Sequence, residues 1–366
     1  MKILLVFDSF KESINAIDLC DFLECEIISK APDSQVIKQP VSDGGEHFLE
    51  IMMSNRPMQE IAVDVSGPLG NSVKAIYGIH NQTAYIEMAQ AAGLQLLSEA
   101  EKNPFKTSTF GLGQIIKDAV SQNITSFVLG IGGSATCDGG AGMAQALGFE
   151  FYDKQGKLIA DHMTGQLIGK IAGIKAPILP VLKIKVACDV NNPLLGKRGA
   201  VYTYGIQKGA GNYDLPILEK NMENLNQLFQ TNLCRKISEI PGAGAAGGLG
   251  AGLIAFLDGQ LVSGSNLVLD ILGIDELVNE VDLILTGEGK YDVQSGQGKI
   301  VSEIVSRCNQ QNKPVIGIFG KYEADDPAIF QDVIQLVDFG DSVHTIKCPR
   351  PYLRQAVDDL LKNLSS

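Results

Sequence analysis

The stretch Lys2-Ile-Leu-Leu-Val-Phe-Asp-Ser-Phe-Lys11 decides the fold. Five consecutive apolar residues, Ile3 to Phe7, end abruptly at a carboxylate and a lysine. A short continuous apolar run bounded by polar residues reads as a strand buried on both faces. Four further runs share this texture, at residues 35–39, 281–285, 314–319 and about 333–339. Each of the first four is followed by a loop and a helical pattern, the alternation expected of a doubly wound parallel sheet. Two of the five runs lie near the N-terminus and three near the C-terminus. The intervening segment alternates apolar and polar residues at 61–65, 73–79 and 83–88, as antiparallel strands do, before helices at 113–121 and beyond and buried strands at 127–131 and 183–187. The expected architecture is α/β with two α/β domains. A flavodoxin/Rossmann-like doubly wound parallel sheet forms from residues 1–61 plus 266–366, and a second, mixed α/β domain, 62–265, is inserted into it.

Charge narrows the function classes. The 366 residues carry 42 acidic against 30 basic side chains, a net charge of −12, with no Lys/Arg run longer than two. That balance argues against nucleic acid or an anionic membrane as partner. Seven cysteines without a C-x-x-C and four scattered histidines give neither a disulfide framework nor a zinc site. The run Ile3–Phe7 is shorter than the roughly 7–15 residues of a signal-peptide core, and no stretch reaches the ~18 apolar residues of a membrane span. A soluble, cytoplasmic protein is expected, with small molecules as ligands and a homodimer compatible with the chain.

Glycine is the compositional anomaly. There are 40, against about 26 expected from average usage. Eighteen fall in four windows, 43–46, 130–142, 242–252 and 287–298, each of which also holds polar residues of catalytic type. Glycine concentrated this way marks backbone that adopts positive φ or closely approaches a ligand. In Pro40-Val-Ser-Asp-Gly-Gly-Glu46, Asp43 and Glu46 match an acidic capping box for a helix at 48–53, but Gly44-Gly45 is more than a cap requires. Gly130–Gly142 runs from a strand into a helix, so its amides suit an anion. Gly130-x-Gly132-x-x-Ala135 and Gly242-x-Gly244-x-x-Gly247 partly match a dinucleotide fingerprint. The second does not follow a clear strand, however, and the first lacks the acidic residue about 20 positions on. An NAD-dependent oxidoreductase and a catalytically silent sugar-acid-binding protein stay open on these residues.

Lysines and carboxylates complete the parts. Lys299 stands before a helix at 300–308, where the macrodipole disfavours a cation, and Lys11 is read the same way, so a shared anion would offset the unfavourable field. In a flavodoxin-like order the first and third strands flank the switch point where such sheets bind ligands. Asp8 and Lys11 then face Glu288, Asp292 and Lys299, with Asp43 close by. Asp189, ending the strand at 183–187, suits a metal ligand or base, or an Asx-turn before Pro193. Lysines, amide nests and isolated carboxylates suit Mg²⁺-assisted phosphoryl transfer. Acyl transfer is disfavoured by the missing Cys/His pair and G-x-S-x-G. No Walker-type glycine loop is present either, and Asp338-Phe-Gly340 mimics a protein-kinase triplet without its companions.

At these windows the chain resembles the bacterial glycerate kinase family of glycerate and glucarate catabolism. The motifs run in order along nearly the whole chain: Asp8-Ser-Phe-Lys11, Pro40–Glu46, Val65-Ser-Gly-Pro-Leu-Gly70, Glu87-Met-Ala89, Gly130–Met143, Ala187-Cys-Asp-Val-Asn-Asn-Pro193, Gln207-Lys-Gly-Ala210, Pro241–Leu253 and Thr286–Lys299. The resemblance implies transfer of the γ-phosphoryl group of ATP to D-glycerate, commonly giving 2-phosphoglycerate, with 3-phosphoglycerate as the alternative product. It departs at His47-Phe48, where the family usually has Gly-Thr, at Glu12, usually small, and at Cys137, where Asn is common. On this reading Asp189, Glu288 or Asp292 holds Mg²⁺. Lys11 and Lys299 neutralise the transferring group, and Asp43 or Asp189 positions the glycerate hydroxyl. Phosphate and substrate contacts come from Ser9, Gly44, Gly45, Gly132, Gly133, Ser134, Thr136, Asp138, Gly244, Gly247 and Gly248, and Arg198 suits the substrate carboxylate.

Overall fold

The structure is a computed structural model that describes residues 1–11, 13–45, 47–292, 299–323 and 329–365. The chain divides into two compact units, Met1–Asp43 with Ser265–Ser366, and Gly44–Gly264.

The first unit is built on a five-stranded sheet. Its strands lie in the order Asp332–Gln335, Val315–Phe319, Leu283–Gly287, Lys2–Phe7, Gln35–Lys38, and every pairing is parallel. Numbered within the unit, this is the order 2-1-3-4-5 anticipated from the sequence, with the first and third strands adjacent at the switch point. The three central strands are buried because helices cover both faces of such a sheet. Ile3, Leu5, Phe7, Leu285 and Ile318 have no exposed surface, and they pack with Leu19, Leu23 and Ile27 of the helix Ala16–Lys30 and with Leu353, Ala356, Val357 and Leu360 near the C-terminus. Each buried side chain of this size contributes roughly 1.5–3 kcal/mol. Asn15 starts the helix Ala16–Lys30 by accepting the Asp18 amide at 2.7 Å. The run expected as a strand at 333–339 is a strand only to Gln335. The chain then turns through a short 3₁₀ segment, Leu336–Asp338, where Val337 N donates to Gly320 O at 3.2 Å.

The second unit holds a six-stranded mixed sheet in the order Gln260–Val262, Lys183–Ala187, Ser126–Gly130, Thr83–Glu87, Ser72–His80, Gln59–Ser66. The first four strands are parallel and the last two antiparallel. The alternation at 61–65 and 73–79 therefore marks a hairpin, whose register sets Val65 against Val73. Residues 44–61, expected with the chain ends, belong to this unit. The helix Phe48–Asn55 buries Phe48, Leu49, Ile51 and Met52, and the strand Gln59–Ser66 is paired from its first residue.

That helix also corrects the capping box. Its N-cap is His47, in the left-handed region at φ 61°, with no side-chain cap bond. Asp43 stands four residues before the cap and is not the capping residue.

Candidate active site

In the first unit Phe7 pairs with Gly287 at the carboxyl end of the two adjacent strands, so Asp8 and Glu288 leave the sheet side by side at the switch point. Asp8 N donates to Gly287 O at 3.3 Å. Glycine is required at 287, because an added Cβ would lie 1.7 Å from the carbonyl oxygen of Ile318. The turn is held beyond it by Gly320 N donating to Glu288 O at 3.2 Å. Asp43 arrives from the neighbouring strand, whose extension runs on through Val41 N donating to Phe7 O at 2.9 Å.

These three carboxylates sense one another. Burial, followed by repulsion from Asp43, pushes the Asp8 carboxyl up to about 7, against the Ser9 amide, which donates to Asp8 Oδ1 at 2.6 Å, and the Lys11 charge. Burial and the Asp8 charge push Glu288 up to about 8, with Lys11 opposing and Asp43 adding to the rise. Among the described residues Glu288 Oε1 is enclosed with no hydrogen-bond partner, as is Thr286 Oγ1 on the strand before it. Buried oxygens without partners are rare in folded chains and call for a ligand or a proton.

The other expected residues of this unit are placed differently. Lys299 is the first residue of the helix Lys299–Gln310, with the unfavourable dipole anticipated for it. Lys11 is not at a helix start. It belongs to a tight turn in which Phe10 N donates to Ile14 O at 2.9 Å, and the helix begins only at Ala16 under the Asn15 cap. Asp292 lies 3.9 Å from Lys290, which bonds Glu323 at 2.8 Å. Half of the fourth glycine window, residues 293–298, and Glu46 and Glu12 lie outside the described residues.

In the second unit the glycine windows are backbone against backbone. After the strand Ser126–Gly130 the chain turns through Gly133 at φ 68° and Gly139 and Gly140 at φ 61° and 76° before the helix Ala141–Ala146. The window at 242–252 enters its helix through three successive left-handed residues, Ala246, Gly247 and Gly248, while Gly244 has an ordinary negative φ. A Cβ on Gly247 would lie 1.8 Å from Thr136 O, so these two windows touch. Gly44, left-handed at φ 86°, packs on Ala187, and a Cβ there would lie 2.4 Å from that side chain.

Asp138 is fully buried and its oxygens are taken up internally. Oδ2 accepts from Thr109 N, Thr109 Oγ1 and Gly142 N at 2.8, 2.8 and 3.2 Å, and Oδ1 accepts from Gly140 N at 3.1 Å. It pins the turn from below rather than presenting a carboxylate at the surface. Asp189 Oδ1 accepts from Ser263 Oγ at 3.0 Å and Gly264 N at 2.9 Å. The Arg198 side chain is exposed, while its carbonyl oxygen accepts from Asn192 Nδ2 at 2.7 Å.

The sequence profile of the Glycerate kinase family matches residues 3–364. The chain belongs to the glycerate kinase family. It is 40% identical over 330 residues to the glycerate kinase of Halalkalibacterium halodurans, covering 88% of this chain and 86% of that protein. It is 39% identical to the glycerate 2-kinase of Escherichia coli K12, covering 92% and 90%. A crystal structure from Salmonella typhimurium LT2, of a chain assigned as glycerate kinase 2, superposes with a TM-score of 0.85 at 35% identity and covers the whole of both chains.

For a glycerate kinase the donor chemistry of the first unit suits a divalent cation. Its oxygens are hard, three like charges repel, and one carboxylate oxygen is buried without a partner. Among the described residues no three His, Cys, Asp or Glu side chains form a ready-made metal cage. Mg²⁺ held through one or two carboxylates plus substrate phosphates and water needs none. Asp8 is the member of this cluster with neither a catalytic nor a metal-binding role in the sequence reading. Its signal was available: a carboxylate one residue past the strand that borders the switch point. A second residue, Lys208, gave no such signal. It stands in a 3₁₀ turn, Ile206–Lys208, yet is almost wholly buried. Among the described residues no helix is long and apolar enough to cross a membrane.

Proposed function

We propose that this enzyme transfers the γ-phosphoryl group of ATP to the 2-hydroxyl of D-glycerate, giving 2-phosphoglycerate and ADP. The observation that carries the reading is the cluster of Asp8, Asp43 and Glu288 with Lys11 at the switch point of a 2-1-3-4-5 sheet. The printed name of the Escherichia coli relative, glycerate 2-kinase, supports the 2-position.

In this mechanism Asp8 and Glu288 hold Mg²⁺, which supplies charge neutralisation to the phosphates when bound. Asp43, half-buried beside them, accepts the proton of the attacking hydroxyl. Lys11 balances the cluster, and Lys299 at its helix start adds positive charge for the transferring group. Ser9, Gly44 and Gly45 line the approach of the substrate. In the second unit the amides of Gly132 and Gly133, with Ser134, bind phosphate oxygens, as successive backbone amides of a turn do. The 244–248 turn supports that loop through Gly247. Arg198 binds the glycerate carboxylate, and Asp189 holds the end of its own strand and orders the segment that carries Arg198. Asp138 and Thr136 act from below, by fixing the turn.

The test is ³¹P NMR of the protein with ATP, Mg²⁺ and D-glycerate. A doublet from a phosphate on a secondary carbon is expected. A triplet, from phosphate on a CH₂, would identify 3-phosphoglycerate, and unchanged ATP would refute the kinase reading for this chain.

A further inference from the structure

Lys208 is the one fully buried ammonium among the described residues, and its surroundings lack the usual compensation. Nζ donates to Thr136 O at 2.7 Å and to Ser134 Oγ at 3.1 Å, both neutral acceptors. It forms no ion pair among the described residues. Burial lowers the Lys208 pKa from its ordinary value, opposed by Cys137 and then Asp138, and four donors from Thr109, Gly140 and Gly142 already satisfy the Asp138 carboxylate. Burial of an ion without a contacting counter-charge is strongly unfavourable, and an apolar side chain of similar volume serves packing better. A lysine kept here has a use for its charge.

Its position shows what that use is. Lys208 comes from a different segment from either glycine window, and Nζ lies where the two meet. A Cβ on Gly247 would be 2.9 Å from Nζ and 1.8 Å from Thr136 O, and Ser134 Oγ also lies 3.2 Å from Ala246 O. Both windows contain left-handed residues, Gly133, Gly139 and Gly140 in one and Gly242 and 246–248 in the other. The ammonium ties them through Ser134 and Thr136. The half-buried Gly132 and Gly133 are the accessible part of the turn.

We propose that Lys208 is a positioning residue that fixes the 132–136 turn and supplies the positive potential beneath it, so that it sets affinity for the polyphosphate of ATP. This rests on the reading that the turn binds phosphate. The charge acts through Ser134 and the turn amides, without touching the ligand. In a water-poor interior such a charge is screened far less than one on the surface.

The experiment compares Lys208→Met, Lys208→Gln and Gly133→Ala with the unmodified protein. Binding of ATP and of inorganic tripolyphosphate is measured by calorimetry at two salt concentrations, with melting temperature as the check on folding. Lys208→Gln keeps a donor for Thr136 O without the charge, and it decides the question if Lys208→Met does not fold. The expected result is at least tenfold weaker binding of both ligands in the lysine variants, with a shallower salt dependence. KM for ATP should rise more than kcat falls. Unchanged tripolyphosphate affinity in a folded lysine variant, with Gly133→Ala weakened, would overturn the role of Lys208 alone. Unchanged affinity in Gly133→Ala as well would overturn the phosphate-turn reading beneath it.

Discussion

Asp8 and Glu288 stand side by side, each one residue beyond the paired Phe7 and Gly287 of adjacent parallel strands. Both titrate above the ordinary carboxylate range, Asp8 up to about 7 and Glu288 up to about 8, with burial as the first cause, then repulsion from Asp43 at Asp8 and from Asp8 at Glu288. In the folded chain the two carboxyls therefore keep protons that the unfolded chain releases near pH 4. Between about pH 4 and 8 the folded state binds more protons, so stability falls as pH rises. The melting temperature is expected to decline from pH 5 to pH 8, and Asp8→Asn should flatten the decline by removing one charge of the pair. Parallel melting curves for the two proteins across this range would show that the pair is not the source.

A cation bound by these carboxylates must displace the same protons. Mg²⁺ should therefore stabilise the protein more at pH 8 than at pH 6. At a hundredfold excess over its Kd the gain is about 2.7 kcal/mol. Glu288→Gln should abolish most of that gain while leaving the metal-free protein as stable or more so at pH 8. The check is calorimetric melting with and without MgCl₂. An equal Mg²⁺ shift in Glu288→Gln would move the cation elsewhere.

Lys11 lowers the pKa of both Asp8 and Glu288. Lys11→Met removes that opposing charge, so both groups should titrate still higher and the acid limb of the rate profile should move to higher pH. Loss of charge neutralisation should also lower kcat by roughly 10²–10³, comparable to removing one preorganised donor at a developing charge. The profile of kcat against pH tests both parts. A uniform fall in kcat with no displacement of the acid limb would limit Lys11 to binding.

The sheet of the first unit was legible because its strands are continuous apolar runs, and Lys2–Phe7 and Leu283–Gly287 are each closed by a carboxylate. Strand order followed from the flavodoxin rule, and it placed Asp8 and Glu288 together before any coordinates. The division at Asp43/Gly44 was not legible. The helix Phe48–Asn55 has the texture of either unit, and only its packing on the inserted sheet assigns it. Lys11 was misread because the turn closed by Phe10 and Ile14 leaves no mark in composition. Lys208 shows the deeper limit. A lysine in a polar Gly-rich segment reads as surface, and its burial arises from contact with Ser134 and Thr136, 74 and 72 residues away in sequence.

His47 occupies a left-handed position, φ 61°, at the start of the helix Phe48–Asn55, and its ring lies 3.0 Å from Glu50. A side chain in this region costs about 1–2 kcal/mol, partly offset by the greater entropy of glycine in the unfolded chain. His47→Gly should stabilise the protein by about 0.5–1 kcal/mol in urea denaturation, with an unchanged slope. Destabilisation would mean that the exposed contact with Glu50 outweighs the backbone strain.

Gly247 offers the complementary case, where no side chain fits. Its φ is 68°, its carbonyl accepts from Gly139 N at 3.2 Å, and a Cβ would lie 1.8 Å from Thr136 O and 2.9 Å from Lys208 Nζ. Gly247→Ala adds left-handed strain of about 1–2 kcal/mol to an overpacking cost of about 1–3 kcal/mol. The obstructing atom is backbone, so relief requires the 132–136 turn to shift. Urea denaturation is expected to register the stability loss. ATP binding should weaken together with it, because the carbonyl that must move also accepts from Lys208. Gly156, also left-handed at φ 73° but with nothing within 4 Å of its Cβ position, isolates the strain. Gly156→Ala should cost only the left-handed portion and leave ATP affinity unchanged. Equal losses for the two variants would show that contact between the glycine windows carries no energy of its own.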